Sequence, residues 1–94
     1  MPPPPRVLRR TAQFKRDAKL MARRGRDLGT LREPVEALVT GGALNERYRD
    51  HALAGGYRGS RECHIGPDWL LIYERSDREL VLIWTGTYAD LFGR

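Results

Sequence analysis

Two strongly apolar runs, "WLLIY" from Trp69 and "LVLIW" from Leu80, sit close together with only a polar stretch between them. This pairing limits the fold more than any other feature. Runs this short and this rich in aliphatic and aromatic side chains suit buried strands. The intervening "RSDRE" suits a hairpin connection, and "LVLIWT" is apolar on both faces, as in a central strand. Upstream, "RECHI" alternates. Cys63 and Ile65 fall on one face, Glu62 and His64 on the other. Gly66-Pro67-Asp68 then makes a turn into the first apolar run. Strands of this kind need a covering layer, and the first half of the chain must supply it.

That half reads as helical. "RVLRRT" has the length of a short first strand, and Thr11 is placed to cap the helix after it. Phe14, Ala18 and Met21 form one apolar stripe, and Gly25 is a reasonable stop. A second helix runs through "DLGTLREPVEALVTGG", with Leu28, Leu31, Val35 and Leu38 as its buried face. Either Asp27 or Thr30 caps it, Thr30 with Glu33 resembling a capping box. With Thr30 as cap, Pro34 is tolerable near the start; with Asp27, it lies deeper and should kink the helix. Gly41-Gly42 ends it. Residues 43–60 lack periodicity and read as a long loop carrying Arg47, Arg49, Asp50, His51, Tyr57 and Arg58. Thr87 with Asp90 is set to cap a last short turn. The expected class is α+β. Helices pack on a small sheet, and an open sheet face opposite them bears His64. Residues 1–5 read as a disordered or polyproline lead-in and 6–94 as one domain.

Charge is unevenly placed. Residues 1–26 carry nine Lys/Arg against one Asp, residues 27–61 five of each sign, and residues 62–94 three Arg against six Asp/Glu. A concentrated basic end suits a polyanion or an acidic protein, although a solvated helix face is the plainer reading. No apolar run has the length of a membrane span or a signal-peptide core, so a cytoplasmic protein without a membrane partner is expected. One cysteine, Cys63, excludes an internal disulfide, and neither a metal site nor a cofactor is recognisable.

His51 and His64 can exchange protons near neutral pH. Asp68 can orient a histidine, the loop arginines suit phosphate, and Trp69, Tyr73, Tyr88 and Phe92 can stack on bases. Together they suit RNA cleavage by internal transesterification, which needs a base, an acid and cations at the phosphate. Each residue also has a plainer role: a strand histidine bonded to a neighbour, a surface histidine, a turn aspartate, a core tryptophan, solvated arginines.

The segments "FKRDAKLMARRG", "RDHALAGGYRGSRECHIGPDWLLIY" and "TGTYADLF" resemble, in this order, the YafQ branch of the RelE-like toxins of bacterial toxin–antitoxin systems. The resemblance covers nearly everything after the prolines. It implies a barnase-like fold with two helices against a small, mainly antiparallel sheet. It also implies a ribosome-dependent endoribonuclease that cuts messenger RNA in the A site without a metal. A cognate antitoxin would neutralise the protein, and operator DNA would be met only through that antitoxin. The resemblance assigns catalysis to His51, His64, Asp68 and Tyr88, with His51 as general base. It places Trp69 and Phe92 at the substrate, and within that reading Arg49 and Arg61 are expected to contact the phosphate. Ribosomal RNA would lie against Lys15, Arg16, Lys19, Arg23 and Arg24. Tyr88 departs from the family, which has a histidine there. Its hydroxyl is either a weak acid or phosphate-positioning group, or a bystander while His51 and His64 share the chemistry, or the mark of a toxin that binds antitoxin but cleaves poorly. A gyrase-directed relative is the other reading, disfavoured by His51, His64 and the Pro67-Asp68-Trp69 motif.

Overall fold

The computed structural model describes residues 4–53 and 59–93, the last two as backbone only. The expected lead-in lies mostly outside the described residues, as do Tyr57, Arg58 and the side chain of Phe92. In chain order come β1 (Val7–Arg10), α1 (Ala12–Arg23), a 3-10 turn (Leu28–Leu31) and α2 (Arg32–Thr40). A second 3-10 turn (Glu46–Tyr48) and β2 (His51–Ala52) follow. Then come β3 (Arg61–Gly66), β4 (Trp69–Arg75), β5 (Glu79–Gly86) and a terminal π-type turn (Ala89–Gly93). The sheet order is β1-β5-β4-β3-β2. β1 runs parallel to β5 and every other pairing is antiparallel. Parallel pairing is possible because the connection from β1 to β5 is long, carrying both helices and the three strands between. The class is therefore α+β with a mixed, mainly antiparallel sheet, as expected.

The register separates two faces. Trp69, Leu71 and Tyr73 of β4 join Cys63, Ile65, Leu80, Leu82, Phe14, Met21 and Leu38 in one core. Thr11 anchors α1 to this layer: its hydroxyl accepts from the Phe14 amide at 2.9 Å and donates to the Ile83 carbonyl at 2.7 Å. The second face carries Glu62, Ile72 and Trp84 in one cross-strand row and His64, Leu70 and Gly86 in the next. It is not the open face expected. Leu70 and Ile72 are only 2% and 1% exposed, Ile72 lying between Glu62 and Trp84 in the register.

Three local expectations need correction. Asp27 caps the 3-10 turn, accepting from the Gly29 amide at 2.9 Å, while α2 starts at Arg32 with no side-chain cap. The Thr30–Glu33 box is thus absent, and Pro34 falls in the first turn of α2, where its missing N–H costs nothing. Leu28 belongs to that turn rather than to the helical stripe and stays 36% exposed. The 43–60 segment is not wholly loop, since it contains the Glu46–Tyr48 turn and β2. Among the described residues no helix is long and apolar enough to cross a membrane.

Candidate active site

The β2–β3 register places His51 directly opposite Glu62, and alternation places His64 two residues further along the same face. His51 Nε2 lies 2.9 Å from the Glu62 carboxylate, and His51 Nδ1 lies 3.1 Å from the Ala52 carbonyl oxygen. The two imidazole centroids are 6.4 Å apart. One ligating atom from each of His51, Glu62 and His64 falls within 4.8 Å of the others. Glu62 is buried, so its carboxylate is held in a low-dielectric setting beside a histidine. Sequence reasoning had placed Glu62 on the face of His64 but assigned it nothing. Its partner is across the sheet, and the two-residue strand bearing that partner has no periodic signal.

A groove of about 670 Å³ opens beside His64, walled by Arg47, Arg49, Gly66, Pro67 and Asp68 among others. Arg49 and Asp68 have φ of 48° and 49°, and among the described residues they are the two non-glycines with positive φ. Both line this groove. Backbone strain of that kind gathers where a side chain must be aimed for function. Arg26 reinforces the turn: its guanidinium donates to the Pro67 carbonyl at 2.7 Å and lies 5.6 Å from the Trp69 ring centroid. Arg47 is engaged elsewhere, with Glu33 at 2.9 Å and over the Tyr48 ring.

The chain end is stitched to the same turn. The Tyr88 amide donates to the Asp68 carboxylate at 3.1 Å, and the Tyr88 residue is 63% exposed. Thr87 and Asp90 form the expected reciprocal cap: each backbone amide donates to the other's side chain at 3.0 Å. Arg24 closes on Asp90 through two bonds, 2.6 and 3.2 Å. These contacts, the Arg24 bond foremost, hold the Asp90 carboxyl down at about 2, from 3.8. A carboxyl depressed on folding adds stability above its unfolded value, and that stability is lost as pH falls through the folded value. Wild type should therefore lose more stability than Asp90→Asn between about pH 4 and pH 2. Urea midpoints across that range check it; parallel curves would mean that the clasp contributes nothing.

The model of the bacterial type II toxin–antitoxin toxin YafQ matches residues 6–93. The chain belongs to the YafQ family. It is 38% identical over 84 residues to the mRNA interferase toxin YafQ of Escherichia coli K12, spanning 88% of this chain and 91% of that one. YafQ in the E. coli DinJ–YafQ complex superposes with a TM-score of 0.87 at 37% identity, covering 94% of this chain and 98% of that one. A metal-bound toxin from Helicobacter pylori gives 0.85 at 35% identity, covering 92% and 98%. The fold is RelE-like.

Within this YafQ-family frame the expected site residues separate. His51 and His64 come together, with Glu62 added. Arg49 and Asp68 wall the adjoining groove, and Tyr88 is tied to Asp68. Trp69 does not offer its face to a base. It is 2% exposed, and its indole N–H donates to the Thr85 hydroxyl at 2.9 Å, so it supports the turn from beneath. Arg61 is turned into a network in which its guanidinium and the Tyr73 hydroxyl both bond to Asp50. Burial, with the Asp50 bond next, pushes the Tyr73 hydroxyl up, out of reach of proton transfer. Arg61 thus braces the residue preceding His51. Lys15, Arg16, Lys19 and Arg23 are exposed along α1. Arg24 differs from them because its fork is taken by Asp90. Cys63 faces the core, and burial pushes its thiol up to about 12, which removes it as a nucleophile.

Proposed function

We propose that the protein is a ribosome-dependent endoribonuclease that cuts messenger RNA by attack of a ribose 2′-oxygen on the adjacent phosphorus. The observation that carries this reading is the joining of His51, Glu62 and His64 beside the Arg49 groove, in a chain similar to an mRNA interferase. Transesterification moves one proton off the 2′-hydroxyl and one onto the departing 5′-oxygen, leaving a 2′,3′-cyclic phosphate and a 5′-hydroxyl. His51 takes the first proton and His64 supplies the second. His51 keeps the general-base role expected of it, with its ring 2.9 Å from the Glu62 carboxylate and 3.1 Å from the Ala52 carbonyl oxygen. Glu62 orients the imidazole, as a buried carboxylate does for a catalytic histidine. Arg49 meets the phosphate, and Asp68 ties the backbone of Tyr88 to the turn that walls the groove. The exposed Lys15, Arg16, Lys19 and Arg23 face ribosomal RNA. A cognate antitoxin restrains the toxin, as the E. coli DinJ–YafQ complex suggests by similarity.

Primer extension on messenger in a purified translation system tests this. Cuts are expected within the A-site codon of ribosome-bound messenger and absent from the same RNA without ribosomes. Intact messenger in both reactions would overturn the nuclease reading.

A further inference from the structure

We propose that His51, Glu62 and His64 bind one divalent transition-metal ion, zinc or copper, and that the ion holds the nuclease off while bound. The inhibitory half rests on the catalytic reading above, while the binding half stands on the three residues themselves.

The donor set is two imidazole nitrogens and one carboxylate oxygen within 4.8 Å of one another. Zinc takes this set in three-ligand sites that leave a fourth position open, and imidazole favours zinc and copper over magnesium. A tetrahedral ion about 2.0–2.1 Å from each ligand sets neighbouring ligand atoms roughly 3.3 Å apart. His51 Nε2 and the Glu62 carboxylate, at 2.9 Å, are already near that spacing. His64 needs only a side-chain rotation, since the sheet fixes all three backbones.

Electrostatics points to a cation at the same spot. When Nδ1 of His51 holds its hydrogen on the Ala52 carbonyl, Nε2 presents a lone pair to a carboxylate oxygen. In that tautomer Nε2 is open to ligate an ion beside the carboxylate. The Ala52 contact is also the kind of outer bond that orients metal-ligating histidines. Glu62 is buried, with its side chain 9% exposed, and a buried carboxylate needs a positive partner. Arg61, the next basic side chain along β3, is bound to Asp50 and does not provide it. The space between His51, Glu62 and His64 is therefore a metal slot. An ion there takes the nitrogen lone pairs on which proton transfer by His51 and His64 depends.

Isothermal titration of the purified chain with zinc chloride, without RNA or ribosomes, tests the site. One equivalent of zinc per chain is expected, and no heat from magnesium chloride. His51→Gln, an exposed change that spares the core, should weaken zinc binding at least tenfold, as should His64→Gln and Glu62→Gln. Absence of zinc binding, or binding unchanged in His51→Gln, overturns the site. Saturating zinc should then stop messenger cleavage, and a zinc-selective chelator should restore it. Undiminished cleavage at saturating zinc overturns the inhibitory half. Zinc binding through the three residues in a protein that never cleaves messenger supports the site and overturns the nuclease reading instead.

Discussion

His64→Ala and His51→Ala should each lower the rate of messenger cleavage on ribosomes by about 10²–10⁴-fold, the usual contribution of a positioned acid or base. Both rings lie at or near the surface, so the variants should melt close to wild type. That separation matters, because a rate lost through unfolding would say nothing about proton transfer. The double variant should lose much less than the product of the single losses, since the two groups act as a unit. Tyr88 sets the companion measurement. A phenol has a reference pKa near 10 against about 6.5 for imidazole, so Tyr88→His should quicken cleavage at neutral pH. Tyr88→Phe reports on the hydroxyl alone. Wild-type rates in both histidine variants would move the chemistry away from this site.

Trp69→Ala should destabilise the domain by about 3–5 kcal/mol, the range for emptying a buried aromatic site. Small domains are stable by roughly 5–15 kcal/mol, so much of the folded population would be lost. The indole fills the core under the Gly66-Pro67-Asp68 turn, bonds to Thr85, and carries Arg26 across its face. Thr85 in turn donates to the Leu70 carbonyl at 2.7 Å, so the change would disturb a buried chain of bonds. Trp69→Phe keeps most of the volume and should retain cleavage. Urea unfolding of both variants, with cleavage of the second, checks this. If Trp69→Phe stays folded yet loses cleavage more than tenfold, the indole contacts RNA after all.

The strands of the hairpin, the stripe on α1, the Thr11 cap and the Thr87–Asp90 cap were all legible because their signals are local. Each rests on residues within a turn or two of one another. What escaped depends on pairing across the sheet. Glu62 acquires its meaning only when β2 lies against β3, and His51–Ala52 is too short to announce a strand. Trp69 lies in a run apolar on both faces, where alternation cannot say which side meets solvent or substrate. Arg61 and Arg24 were read as available cations because their acceptors, Asp50 and Asp90, lie 11 and 66 residues away. The two histidines could be named from the sequence, and Tyr88 stood out as a departure, but the contact of His51 with Glu62 needed the sheet.

The pairing of β1 with β5 has a kinetic consequence. The first strand cannot find its partner until β5 has been made, because Val7 pairs with Glu79 and Arg10 with Leu82. Arg6 adds bonds to the carbonyls of Leu38 and Ser76, which knit the beginning of the chain to its middle and end. Contacts of such long sequence separation slow folding, since a large loop must close before they form. A nascent chain short of β5 has no complete sheet and no finished core. The sheet and the core beneath it are therefore completed only once β5 has joined β1 and β4.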